Sequence, residues 1–184
     1  MFYLSFDIGI KNLAYCYSEN EKILEWNVLN IASKDFHTMS ELCVSLLHNV
    51  FVDKEIDIIL IENQPVQKNP KMKSVQMIVY TFFCVRKVLN SDDFTILFQS
   101  ANNKNKYMNN LNIQSPTCST KYVENKKRAI LCVKQIIDSK WYDIFISNSK
   151  KDDLADSYLQ TLAHINYTPV LPNPPVPRVD SSND

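Results

Sequence analysis

The sequence predicts an α/β domain built on a five-stranded mixed sheet, three antiparallel strands followed by helix–strand alternation, with helices flanking the sheet. Three observations predict it. The first thirty residues form three strand-like runs joined by short turns, two later apolar runs are short enough to be strands, and the stretches between carry apolar residues at helical spacing.

In residues 1–7, Phe2, Leu4 and Phe6 alternate with Tyr3, Ser5 and Asp7, the period of a strand, and the run ends on an acid. Gly9 and Asn12 mark a turn. Residues 13–17 and 23–31 then give two more strands around the polar stretch 18–22, which predicts an antiparallel meander. From residue 33 the period changes. Met39, Leu42, Leu46, Leu47 and Val50 recur at helical spacing, so an amphipathic helix is expected over 35–52. Residues 58–62, Ile-Ile-Leu-Ile-Glu, are apolar on both faces, as in a central parallel strand covered by helices, and this run also ends on a carboxylate.

A second helix, expected over 74–89, is apolar nearly all round (Val75, Ile78, Val79, Phe82, Phe83) and precedes a fifth strand at 94–98. Residues 99–120 are rich in Asn and Lys and lack periodicity. They are expected to form a long loop, a feature that in compact domains is usually functional or disordered. Further helices are expected over 121–137 and 152–165, the last burying Leu154, Tyr158, Leu159 and Leu162. Residues 1–167 are expected to be one domain, and 168–184, with five of the eight prolines, a disordered tail.

A chain of 184 residues suits one hydrophobic core that buries roughly two-thirds of the unfolded surface. The first apolar stretch is interrupted by Asp7 and lacks a basic leader, so a soluble, unsecreted, intracellular protein with no membrane association is expected. Five scattered cysteines with no C-x-x-C pair are read as reduced thiols. There is a single glycine, Gly9, against nineteen asparagines, so Asn is expected at turn positions that need φ > 0. The net charge of zero hides a segregation: residues 63–128 hold eleven Lys/Arg against three acids, a net +8. Such a basic central third suits a polyanion, because neutralising phosphates releases counterions.

If the first and fourth strands lie side by side and parallel, their carboxyl ends bring Asp7 and Glu62 together, where ligands of open α/β sheets gather. The last helix opens Lys151-Asp152-Asp153-Leu154-Ala155-Asp156. Asp153 and Asp156 share one of its faces, as do Asp152 and Asp156. Turn formation accounts equally for Asp7, and helix-terminal preference for Asp152 and Asp153. It does not account for Asp156, and Glu62 at the end of an apolar strand is costly unless something compensates it. Four convergent carboxylates are hard ligands suited to Mg²⁺ or Mn²⁺, and two such ions serve phosphodiester cleavage. His37, His48 and His164 are too scattered to add ligands, and Tyr80, Phe82 and Phe83 read as packing or subunit interface.

The stretches Asp7-Ile-Gly9-Ile-Lys-Asn12-Leu-Ala14, Ile61-Glu62-Asn63-Gln64-Pro65 and Lys151-Asp152-Asp153-Leu154-Ala155-Asp156-Ser157 together resemble the motifs of RuvC-type Holliday-junction resolvases, closest to the fungal mitochondrial and poxvirus branches. The resemblance spans about residues 1–163. It implies an RNase H-like fold and a homodimer that nicks four-way or other branched DNA symmetrically, with two Mg²⁺ ions (Mn²⁺ able to substitute) per site and no nucleotide cofactor. Asp7, Glu62, Asp153 and Asp156 match the family's acids, with Asp152 as an alternative to Asp153. The family also uses a lysine near the scissile phosphate. Lys104 is the first candidate here, then Lys126 and Lys127. DNA contacts are expected from Lys68, Lys71, Lys73, Lys104, Lys106, Lys126, Lys127 and Arg128. A poxvirus origin would place the protein in the host cytoplasm. Three other readings compete: a hybrid-specific ribonuclease H with the same metal site, a non-catalytic junction-binding protein, and an ATP-binding domain of the actin type, which the single glycine disfavours.

Overall fold

The structure, a computed structural model, describes residues 1–67 and 69–167. The expected tail and Lys68 lie outside these residues. Strands β1 (Phe2–Asp7), β2 (Asn12–Glu19) and β3 (Lys22–Asn30) form the antiparallel meander, and β4 (Ile58–Glu62) and β5 (Thr95–Gln99) add to it in parallel, giving the order β3-β2-β1-β4-β5. The five-stranded mixed sheet with flanking helices is therefore as the sequence predicts.

Among the described residues, Asn takes two of the three left-handed positions in this glycine-poor chain: Asn20 turns β2 into β3 with φ 51° and Asn112 has φ 52°, while Ser91 takes the third with φ 56°. Gly9 is required for a different reason, close approach: a Cβ there would stand 2.4 Å from the carbonyl oxygen of Asn12.

Alternation along the strands divides the core in two. Leu4 and Phe6 of β1 and Ile59 and Ile61 of β4 face α1 (Phe36–Phe51) and α2 (Pro70–Asn90), meeting Met39, Leu47, Phe51, Val75, Val79 and Phe83. Arg86 closes this layer by donating from Nη1 to the Phe51 carbonyl at 2.6 Å, satisfying the carboxyl end of α1. The other face carries α3 (Ala101–Asn110), α4 (Lys121–Ile136), α5 (Ser139–Ser147) and α6 (Lys151–Tyr167), packed on Cys16, Ile23 and Trp26.

Three expectations are corrected. Residues 99–120 are not a continuous loop, because Ser100 caps α3, which buries Lys104 and Met108 one turn apart. Helix α2 starts at Pro70, earlier than expected, with Asn69 capping it by accepting from the Met72 amide and proline at its first turn. Helix α5, capped by Asp138, lies in a stretch where no element is expected from the sequence.

Helix α6 approaches the sheet closely because small polar residues line the contact. Ser5 donates to the Ser157 carbonyl at 2.6 Å and accepts from the Thr161 hydroxyl at 2.9 Å, all buried. This seats the first turns of α6 over the carboxyl ends of β1 and β4.

Candidate metal centre

Phe6 pairs with Ile61 in the parallel β1–β4 register, so Asp7 and Glu62, one residue on, lie side by side. Glu62 pairs in turn with Gln99, the last residue of β5. The chain passes directly from there into α3, so three adjacent strand ends deliver Asp7, Glu62 and Lys104 to one place. Helix α6 supplies Asp156. The Lys104 ammonium stands 3.2 Å from Glu62 and 3.1 Å from Asp156. With side-chain exposures of 8% for Lys104, 15% for Glu62 and 22% for Asp156, little water screens these pairs.

One turn earlier on α6, Asp153 lies 3.5 Å from the Lys126 ammonium, which also pairs with Asp152. Asp7, Glu62, Asp153 and Asp156 all line a cleft of about 340 Å³, walled by the Gly9 turn, Gln64, Met72, Tyr122 and Lys126. Asp152 is not among the lining residues.

The electrostatics follow from this crowding. Burial, together with the Asp156 and Glu62 carboxylates, pushes the Asp7 carboxyl well above the usual range, against the opposing pull of Lys104. A side-chain hydrogen bond between Asp7 and Glu62 raises the first and lowers the second. Burial works against ionised Glu62 too, but Lys104 and this hydrogen bond outweigh it and hold Glu62 below its usual range. Asp156 is raised by burial and by Glu62, with Lys104 opposing. For Lys104 burial favours the neutral amine, yet Asp156, Glu62 and Asp7 prevail and keep it charged.

Among the described residues, no three acidic, imidazole or thiol groups are set to hold a metal ion as they stand. The point at which Glu62 and Asp156 converge is taken by an ammonium. The donor set itself is hard oxygen throughout, and the buried carboxylates crowd together with a single ammonium between Glu62 and Asp156. This chemistry fits a divalent cation.

The remaining expected DNA contacts are dispersed. Lys71, Lys106 and Lys127 are exposed, and Lys73 is half-buried, its ammonium 3.2 Å from both Asn63 Oδ1 and Gln76 Oε1. Arg128 is buried and donates from Nε to the Ile113 carbonyl at 3.0 Å, which fixes the segment before α4 and leaves it unsuited to touch a duplex. His164 is buried against Gln99, while His37 and His48 are exposed on α1, so the three do not meet.

Two residues next to the acids escape the sequence reading. Gln160, one turn beyond Asp156, donates from Nε2 to the Leu60 carbonyl at 2.9 Å and to that of Phe6 at 3.4 Å, tying the two strands together just before their acids. Its i, i+4 spacing from Asp156 is the only signal in the sequence. Tyr122 stands exposed at the cleft rim, at the start of α4.

A 3-2-1-4-5 sheet with acids gathered at the ends of β1 and β4 and at the start of the last helix defines an RNase H-like fold. The yeast mitochondrial Holliday-junction resolvase Ydc2 superposes with TM-score 0.62 at 19% identity, covering 89% of this chain and 78% of that one. The fowlpox virus resolvase, solved with substrate Holliday-junction DNA, gives 0.59 at 18% identity over 90% and 97%. Thermus thermophilus RuvC gives 0.60 at 11% over 90% and 96%. At these identities the likeness is one of fold.

The chain belongs to the poxvirus A22 protein family, which matches it over residues 1–167. An uncharacterized protein of Acanthamoeba polyphaga mimivirus, L451, is 33% identical over 115 residues, 57% of this chain; the match spans only 28% of that longer protein.

Proposed function

We propose that the protein is a divalent-cation-dependent endonuclease that resolves four-way or otherwise branched DNA junctions by paired, symmetric phosphodiester hydrolysis. The observation that carries this reading is the gathering of Asp7, Glu62 and Asp156 around one buried cation, beside a cleft that Asp153 completes. Family and fold support it, since the solved resolvases named above share this architecture.

Asp7, Glu62, Asp153 and Asp156 would hold two Mg²⁺ ions, with Mn²⁺ as a substitute, and Asp152 is the less suited ligand because it lies off the cleft and is paired to Lys126. When bound, the ions supply an activated water and charge stabilisation at the leaving oxygen. Lys104, buried and off the cleft lining but within reach of two of the acids, is the residue that balances their charge. Lys126 does the same for Asp152 and Asp153. Lys71, Lys73, Lys106 and Lys127 provide sequence-independent contacts to the phosphate backbone.

Symmetric cutting calls for two related sites and hence a homodimer. The second copy is assigned to the broad groove of about 1070 Å³ between α1 and α2. Its lining includes exposed Phe36, Val44, Met77 and Val85, an apolar surface that a two-fold copy of itself would cover. The groove starts at the first turn of α2, whose Met72 walls the acid cleft, so a dimer there brings both clefts to the seam.

The test is incubation with a synthetic four-way junction, an RNA–DNA hybrid and a linear duplex in Mg²⁺. Paired nicks at symmetric positions in the junction are expected, with Asp7→Asn binding the junction without cutting it. Preferential cleavage of the hybrid would instead indicate a ribonuclease H, and Mg²⁺-dependent cutting by Asp7→Asn would remove Asp7 from the site.

A further inference from the structure

We infer that Tyr122 is a base-stacking platform, which receives an unstacked base of the DNA strand whose phosphate enters the acid cleft. The inference rests on the proposed junction nuclease activity and adds to it a residue that grips the substrate.

Tyr122 is the most exposed aromatic side chain among the described residues, at 68%, and it lines the cleft together with Asp7, Asp153 and Asp156. Large aromatic rings are normally buried or partnered, since exposing them to water is unfavourable. The ring is nevertheless held in place. The Lys126 ammonium lies over it, 5.2 Å from its centroid. Lys126 is fixed in turn by Asp152 and Asp153 on α6. An open ring anchored to the walls of the site therefore needs little ordering when a ligand arrives.

Its surroundings select the ligand. The Lys126 ammonium over the ring and Lys11 in the same cleft set cations beside it, while Lys121 is paired with Glu124. An aromatic face set among cations is how single-stranded nucleic acid is gripped, with phosphates meeting the charges and a base meeting the ring regardless of its identity. Duplex interiors present no free base face. A branch point, where stacking is interrupted, does. Tyr122 would thus favour branched over linear DNA without reading sequence.

The experiment places 2-aminopurine next to the scissile phosphate of a four-way junction and follows its fluorescence on binding in Ca²⁺, with single-turnover cleavage in Mg²⁺, for wild type, Tyr122→Phe and Tyr122→Ala. Stacking on the ring predicts quenching with wild type and Tyr122→Phe, and its loss with Tyr122→Ala. Cleavage by Tyr122→Ala is expected to slow by about 5- to 140-fold, the range of one stacked base. Tyr122→Phe should recover most of the rate, and urea unfolding of Tyr122→Ala should match wild type because the ring is exposed. Normal quenching and rate in Tyr122→Ala overturn the inference while leaving the nuclease reading intact. A wild-type protein that neither binds nor cuts junctions overturns both.

Discussion

Removing the Lys104 ammonium is the most direct probe of the acid site. Lys104→Met keeps the length of the side chain and deletes its charge. The contacts to Glu62 and Asp156, at 3.2 and 3.1 Å, are each worth ~5 kcal/mol gross at an effective dielectric of about 20. Desolvation of the ammonium offsets much of that, and deleting one partner of a buried ion pair costs about 3–5 kcal/mol. Metal-free Lys104→Met should therefore be less stable than metal-free wild type by roughly that amount, or ~6–20 °C in Tm for a domain of this size. Uptake of a proton by Asp156 eases the strain, so the deficit should widen as pH rises. A cation that binds only the folded state stabilises by about 2.7 kcal/mol at a hundredfold excess over its Kd. Since it would occupy the place the ammonium holds, Mg²⁺ should stabilise the variant more than the wild type. The assay is urea and thermal unfolding of both proteins in EDTA and across a Mg²⁺ titration, at two pH values. Equal stability in EDTA, or a variant indifferent to Mg²⁺, would refute the idea that Lys104 neutralises a cation site.

Three further expectations use the same methods. Gly9→Ala sets a Cβ against the Asn12 carbonyl at 2.4 Å, so the Asp7–Asn12 turn must shift; a loss of ~1–3 kcal/mol and a steep fall in junction cleavage are expected, and a wild-type rate would show the turn to be pliable. Burial lowers the pKa of His164 below its ordinary 6.5, so the unfolded chain takes up the proton first; that contribution to stability is complete above pH about 6.5 and is lost as pH falls towards the folded value, and unfolding of His164→Gln should show a shallower acid dependence than wild type over that window. Met77→Glu in the α1–α2 groove should give a monomer by sedimentation while the isolated chain stays folded, and an unchanged dimer would assign the interface elsewhere.

The parts of this molecule that were legible in the sequence are those in which one period dominates. The β1–β3 meander reads as strands because Phe2, Leu4 and Phe6 alternate in β1 and short apolar runs follow between polar turns, and Ile58–Glu62 reads as a covered parallel strand because helices enclose both its faces. Asp7 and Glu62 stand out for the same reason, as acids ending apolar strands. Helix α3 was hidden by composition: five of its ten residues are Asn, which favours turns over helix interiors. Its only helical trace is Lys104, Tyr107, Met108 and Leu111 at spacings of three and four, and the first of these is a charge that a search for an apolar stripe discards. That charge is inward-facing because its partners, Glu62 on β4 and Asp156 on α6, lie 42 and 52 residues away, a pairing that no local pattern encodes. The same holds for Gln160, whose role exists only once β1 and β4 are adjacent. Asp7 and Glu62 are thus a property of strand ends, whereas the cation that balances them is a property of the assembled fold, and substitutions at Lys104 and Gln160 should be more sensitive to the packing of α3 and α6 than substitutions at those two acids.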